Sequence, residues 1–174
     1  MNVPAEEDAP KLYRESIVID GLNVSKWESD AVYHSLNRGG VTASNATTAI
    51  WEGYKETLDN IAAWQGRFSR FPKLITQVRT VKDIHEAKKK SLSGIIIGFQ
   101  NASPIENDLD RLAVFHQLGV RVIQLTYNER NLLGNGCYER RDEGLSHFGL
   151  DAIRAVSYTH LRAHETEADL VCRL

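Results

Sequence analysis

Apolar and polar residues alternate along the chain in blocks that predict strands separated by amphipathic helices. The apolar or β-branched runs that predict strands lie at 16–21, 41–50, 94–99 and 120–126. Apolar residues at steps of three and four predict helices over 28–37, 54–68, 80–90, 103–118 and 145–156. Because strands and helices alternate, the sequence predicts an α/β fold with a parallel sheet and right-handed crossovers.

Local signals set several boundaries. Run 16–21 is a short apolar run that ends in a glycine and predicts a buried strand, and run 94–99 is apolar and β-branched on both faces. Residues 80–83 resemble a capping box. Ser103, Pro104 and Glu106 occupy the N-cap, N1 and N3 positions of a helix that is predicted to begin directly after strand 94–99 and to end at Gly119. Residues 1–15 form a polar lead-in, and 128–144 form a long loop of the kind that carries function.

The composition is that of an ordinary globular protein: 174 residues, 42% hydrophobic and 25% charged, with a formal net charge of −2. The near-neutral charge gives no bulk attraction to phosphate, so we expect no nucleic-acid partner. The longest apolar run, Ile95 to Ile97, is far shorter than the roughly 20 residues of a membrane span. With no visible secretory signal and only Cys137 and Cys172 as cysteines, we expect a cytoplasmic protein.

Polar side chains follow the predicted strands at the points where they end. In parallel α/β folds the ligand sits at the carboxyl ends of the strands, so these side chains are the candidate substrate-binding residues. They are Asn23, Gln100, Asn101, Tyr127, Asn128 and Arg130. A site at the strand ends that is rich in carboxamide side chains suits a small polar ligand. Each asparagine could equally serve turn chemistry.

Charged residues near these positions leave their roles open. Arg130 or Lys26 could hold a substrate carboxylate, whereas Arg130 could equally pair with Glu129 or another acid of its loop. Asp20 and Glu129 are the only nearby carboxylates that could act as a base. The sequence therefore leaves the catalytic residues unassigned.

The residues around the strand ends occur in an ordered set of three segments. They are 18–24 (VIDGLNV); 98–102 (GFQNA) with 107–109 (NDL); and 118–121 (LGVR) with 125–128 (LTYN), followed by 144–146 (GLS) and 148–149 (FG). This set resembles the membrane (renal) dipeptidase family of zinc hydrolases, peptidase family M19, over about residues 17–155. The resemblance implies a TIM-type (β/α)8 barrel, a two-zinc centre, and hydrolysis of dipeptides and some β-lactams.

Compared with the family pattern, this chain departs at the expected metal positions. Leu22 and Val24 stand where the resemblance implies a His-x-Asp pair, and Gln100 stands where it implies a bridging glutamate. Tyr127 takes the place of a substrate-contacting histidine. Neither hydrocarbon can ligate zinc, and a neutral carboxamide cannot bridge two dications as a carboxylate does. We therefore expect no metal in this chain.

The length and the last residues suggest a fragment. A complete barrel needs about 250 residues, so 16–156 is predicted to form the N-terminal half of one. Residues 157–174 resemble translated sequencing adapter and are predicted to be non-native, with a genuine divergent helix as the alternative. Half a barrel would leave apolar surface and a free strand edge, so we expect marginal stability, lost activity and homodimer formation or aggregation.

Two functions follow from these observations. The first is a dipeptidase-type hydrolase that acts on a dipeptide or related small amide and is inactive as a half-barrel. The second is a non-catalytic, metal-free protein that keeps the same scaffold and binds a small molecule in the retained pocket. Metal analysis and the histidines of a full-length relative would discriminate between them.

Overall fold

The computed structural model describes residues 9–159 and 162–163 of the chain. In chain order the helices and strands are α1 (Ala9–Glu15), β1 (Ile19–Asn23), α2 (Asp30–Arg38), β2 (Ala43–Ala49), α3 (Tyr54–Arg70), β3 (Ile75–Gln77), α4 (Val81–Lys89), β4 (Ser93–Phe99), α5 (Asp110–Leu118), β5 (Val120–Ile123), α6 (His147–Thr159) and β6 (Arg162–Ala163). A 3₁₀ turn at Ser103–Ile105 separates β4 from α5. None of the helices in this part of the chain is long and apolar enough to cross a bilayer.

The described residues divide into two compact units. The first contains 9–46 and 67–96, and the second contains 47–66 and the described residues from 97 onward. Two strands, β2 and β4, begin in the first unit and end in the second. The carboxyl ends of these two strands therefore belong to the second unit.

Every strand pair that is described in register is parallel. In the first unit β1 pairs with β2, and β3 pairs with β4 from Ile75 opposite Ser93. In the second unit β4 pairs with β5, with Phe99 opposite Ile123, and β5 pairs with β6. The strand order is β1-β2-β4-β5-β6, with β3 beside β4. The α/β class and the parallel alternation of the TIM-type barrel half are thereby confirmed.

Each unit has its own aromatic core. In the first, Tyr33 is fully buried between Trp27 and Phe71, and its hydroxyl donates to the carbonyl oxygen of Trp27. In the second, the buried ring of Phe115 on α5 stands edge-on to Phe99, with the centroids 5.0 Å apart. Phe115 also meets Tyr54 at the start of α3, at 5.5 Å. Phe115 thus fixes the end of β4 and the start of α3 to one helix.

Several predicted boundaries are confirmed. The capping box is present, because Thr80 accepts from the Asp83 amide while the Asp83 carboxylate accepts from the Thr80 amide. α5 ends at Gly119 in the left-handed conformation, with φ of 104°.

Strand β3 was not predicted, because three residues are too few to show a periodicity. Within the predicted polar lead-in, residues 9–15 form α1.

Strand β1 is not the buried strand that its apolar sequence predicts. Ile19 is 50% exposed, and every residue of β1 is either exposed or half-buried. β1 stands first in the strand order of the described residues, so a hydrogen-bonded strand lies along only one of its two edges. The prediction of a buried strand was wrong because the sequence does not reveal the position of a strand in the sheet.

The predicted helix start at Ser103 is also wrong. Ser103 and Pro104 form the 3₁₀ turn, the chain leaves it at Glu106 with φ of 50°, and α5 begins only at Asp110. The Glu106 carboxylate does not return to Ser103, as a capping box requires. Instead it accepts from the Arg111 guanidinium and from the Tyr54 amide. Long-range bonds therefore replace the local cap.

Candidate functional site

The end of β1, in the first unit, holds Leu22, Asn23 and Val24. Asn23 donates from Nδ2 to Asp20 Oδ2 at 2.8 Å and accepts the Ser25 amide at Oδ1, at 2.9 Å. Both the nitrogen and the oxygen of its carboxamide are thus bonded within the local turn. This is the alternative in which the asparagine stabilises a turn. Leu22 and Val24 are exposed hydrocarbons, at 44% and 64%.

Gln100 directly follows β4 in the second unit. The backbone amide of Gln100 donates to the carbonyl oxygen of Ala49 at the end of β2, at 2.9 Å. The residue is only 4% exposed. Phe99 packs against Phe115 on α5, so strand alternation directs Gln100 away from α5. Within the described residues, no hydrogen bond is made by the Gln100 carboxamide, which leaves a donor and an acceptor available to a ligand.

The next residue, Asn101, is also buried but is engaged by the long loop. Asn131 Nδ2 donates to Asn101 Oδ1 and to the Leu125 carbonyl oxygen, both at 2.7 Å. Asn131 Oδ1 accepts the amides of Leu133 and Gly134. All the bonding capacity of the Asn131 carboxamide is therefore spent on holding the loop to the end of β4, a role that the sequence did not single out.

Tyr127 follows β5, and its ring meets Trp51, which follows β2. Their centroids lie 5.6 Å apart at an interplanar angle of 55°. Tyr127 is half-buried, whereas Trp51 is 57% exposed. Sequence reasoning missed Trp51, although its place two residues beyond the end of β2 is the signal that could have found it.

Asn128 and Arg130 belong to the loop that follows β5. Asn128 Oδ1 accepts from the Cys137 thiol at 3.6 Å, and its backbone carbonyl accepts the Tyr138 amide. Arg130 is exposed, and its guanidinium pairs with the Glu143 carboxylate at 3.3 Å. This is the alternative in which Arg130 pairs with an acid of its own loop. With Glu106, Leu132 and neighbouring residues, Arg130 lines a cavity of about 450 Å³ in the second unit.

Glu106 carries the clearest electrostatic perturbation near this cavity. Hydrogen bonds from the Arg111 side chain and from the Tyr54 amide hold the pKa of the Glu106 carboxyl below its ordinary value of 4.5. The Arg111 guanidinium in turn lies 4.3 Å above the Tyr54 ring. Glu106 is therefore a charged anchor for the start of α3.

Comparison with known families matches the chain to the membrane dipeptidase model, peptidase family M19, over residues 6–160. The chain belongs to the membrane dipeptidase family. This confirms the resemblance of the strand-end segments. No curated protein matches the chain significantly.

Solved structures of similar proteins agree with this membership. An amidohydrolase from Pseudomonas aeruginosa is 40% identical, with a TM-score of 0.86 over 88% of this chain and 47% of that one. The probable dipeptidase PvdM from the same organism is 14% identical, with a TM-score of 0.78 over 90% and 48%. A Rhodobacter sphaeroides metallopeptidase, liganded with a phosphinate mimic of the dipeptide L-Ala-D-Ala, is 14% identical, with a TM-score of 0.66 over 84% and 57%.

This member of the membrane dipeptidase family spans about half the length of these structures. Its residues at the implied metal positions do not fit a two-zinc centre, because Leu22 and Val24 have no donor atoms and Gln100 is uncharged. Among the described residues there is also no group of three His, Cys, Asp or Glu side chains that could hold an ion. No chemical step is therefore assigned to zinc here.

Proposed function

We propose that the protein recognises dipeptide-like small amides on the scaffold of a dipeptidase-type hydrolase, and that the 174-residue chain binds such amides without hydrolysing them. The observation that carries this proposal is Gln100, a carboxamide that is 4% exposed, directly follows β4 and has no hydrogen-bond partner in the described part of the chain. The Gln100 carboxamide is not among the described polar groups that are fully enclosed without a partner, so it keeps access to solvent, and a ligand that reaches it can bond to both its nitrogen and its oxygen.

The chemistry of Gln100 matches an amide. A carboxamide donates from its nitrogen and accepts at its oxygen, so it can form two complementary bonds with a peptide group. It carries no charge with which to bridge two cations or to remove a proton from water. Binding is therefore retained at this position, whereas water activation is not.

The test combines binding, metal content and turnover in the 174-residue chain. We expect isothermal titration calorimetry to show binding of Nα-acetyl-L-alaninamide and of L-Ala-D-Ala, less than one zinc per chain by mass spectrometry, and no hydrolysis of L-Ala-D-Ala with added zinc. Gln100→Leu should abolish binding, whereas Gln117→Leu, at an exposed glutamine on α5, should not. Tight zinc with turnover, or unchanged binding by Gln100→Leu, would overturn the proposal.

The second candidate is a metal-free binding protein that has no hydrolytic activity even at full length. The replacement of three implied ligand positions, Leu22, Val24 and Gln100, favours it. A dipeptidase assay on the full-length parent protein separates the two candidates, since only the hydrolase releases free amino acids.

The remaining assignments stay proposals. Homodimer formation would appear as twice the chain mass in light scattering after size-exclusion chromatography. A cytoplasmic location would appear in cell fractionation. The substrate-binding roles of Asn23, Asn101, Asn128 and Arg130 are each tested by an alanine variant in the calorimetric assay.

A further inference from the structure

Three adjacent strands bring Trp51, Gln100 and Tyr127 to one edge of the second unit. Trp51 follows β2, Gln100 follows β4 and Tyr127 follows β5, and β4 lies between the other two strands. Neighbouring strands are about 4.8 Å apart, so β2 and β5 are separated by about 10 Å. The indole and phenol rings nevertheless meet at 5.6 Å. The two side chains therefore reach towards each other from the two strands that flank β4, the strand that Gln100 directly follows.

The loop that carries Trp51 has most of its backbone donors bonded to carboxylates. The Ile50 and Trp51 amides donate to Glu52 Oε2 at 2.7 and 3.0 Å. The Gly53 amide donates to Glu56, and the next amide, at the start of α3, donates to Glu106 Oε1 at 3.3 Å. These bonds hold the backbone at Trp51 in a fixed position, and the Trp51 side chain contacts the ring of Tyr127.

The exposure of Trp51 is unusual for this chain. Its indole is 57% exposed, whereas Trp27 and Trp64 are 6% and 2% exposed. A large aromatic side chain that is held rigidly and left open to solvent is typical of a binding surface. Trp51 and Gln100 follow neighbouring strands, and the Gln100 carboxamide has no hydrogen-bond partner among the described residues, so one ligand could contact both.

We propose that Trp51 and Tyr127 form an aromatic roof over Gln100 that selects amides carrying an aromatic or other planar side group. This inference rests on the proposed function. In it, the Gln100 carboxamide pairs with the amide of the ligand, and the planar group of the ligand stacks on the exposed indole. Trp51 and Tyr127 determine specificity, and Gln100 provides the polar contact common to all ligands.

The experiment uses the tryptophan fluorescence of the 174-residue chain. Trp51 is the exposed indole, so Nα-acetyl-L-phenylalaninamide should change its emission and Nα-acetyl-L-alaninamide should change it less. We expect the phenylalanine compound to bind about two- to tenfold more tightly, which is the range that one aromatic contact supplies. Trp51→Ala removes the reporter indole, so its affinities for the two compounds are measured by isothermal titration calorimetry, and the preference for the phenylalanine compound should be lost.

Matched variants keep the outcomes separate. Tyr127→Phe retains the ring and should retain the preference, whereas Tyr127→Ala should reduce it. Tyr138→Ala removes an exposed aromatic ring from the neighbouring loop and should have no effect. Equal affinities for the two amides, or a preference that survives Trp51→Ala, would overturn the roof while leaving the proposed function intact. Failure of both amides to bind would overturn both.

Discussion

Removal of the Phe115 ring should destabilise the second unit and disturb the end of β4. Phe115 is completely buried and contacts Phe99 at 5.0 Å and Tyr54 at 5.5 Å. A buried Phe→Ala change costs about 3–5 kcal/mol, and edge-on aromatic pairs contribute about 0.5–1.5 kcal/mol beyond their buried area. Because Phe115→Ala loses two such pairs, we expect a loss of about 4–5 kcal/mol in the free energy of unfolding.

Urea denaturation followed by circular dichroism measures this loss. For a chain of this size it corresponds to a fall of roughly 8–20 °C in melting temperature. Phe115→Leu keeps more of the volume but also loses both aromatic pairs, so it should cost about 1–3 kcal/mol, less than Phe115→Ala. Binding of Nα-acetyl-L-alaninamide should also weaken in Phe115→Ala, because Phe99 precedes Gln100. A loss below about 1 kcal/mol, or equal losses in both variants, would refute the assigned packing.

Three further substitutions test the space around two glycines and the ion pair of Glu106. Gly136→Ala would place a Cβ 2.4 Å from the Asn128 backbone and should cost about 1–3 kcal/mol in a urea titration. At Gly66, inside α3, an added Cβ would meet no atom within 4 Å, so Gly66→Ala should raise the free energy of unfolding by about 0.5–1 kcal/mol. Equal effects of the two glycine substitutions would contradict both expectations. Glu106 has a lowered pKa, chiefly through its bond from Arg111, so its stabilising contribution is present above its ordinary pKa of 4.5 and is lost as pH falls through the lower folded value. Glu106→Gln should therefore melt below the unmodified chain at pH 7 and approach it as pH falls below 4.5, whereas a gap independent of pH would exclude the ion pair as its cause.

The sequence predicted those elements whose signals are local. β4 is a run of apolar and β-branched residues, and the Gly119 end of α5 needs one residue that accepts a positive φ. The position of β1 at the edge of the strand order is not local, so its exposure could not be read from its apolar sequence. The capping residues at Ser103 predicted a helix start that the structure does not have, because the Glu106 carboxylate bonds to Tyr54 and Arg111 instead.

The same distinction applies to the candidate site. Gln100, Asn101 and Tyr127 could be found because they follow the predicted strands 94–99 and 120–126, which is a property of the sequence order. Asn131 and Trp51 could not be assigned roles, since one depends on four hydrogen bonds from a folded loop and the other on a contact across β4. Residue type and strand ends therefore locate the site, whereas its internal support becomes visible only after folding.

Gln100→Glu asks whether a carboxylate alone would restore a metal position. The residue is 4% exposed, and no described cation bonds to it, so a new carboxylate would be buried without a partner. Burial should raise its folded pKa above the unfolded value of about 4.3. The variant should then match the unmodified chain at low pH and lose stability progressively as pH rises above about 4, as thermal melts from about pH 4 to about pH 8 would show. Added zinc should not reverse the loss, because Leu22 and Val24 supply no ligand atoms; a zinc-dependent recovery of the melting temperature at about pH 8 would show that this strand end can hold the metal after all.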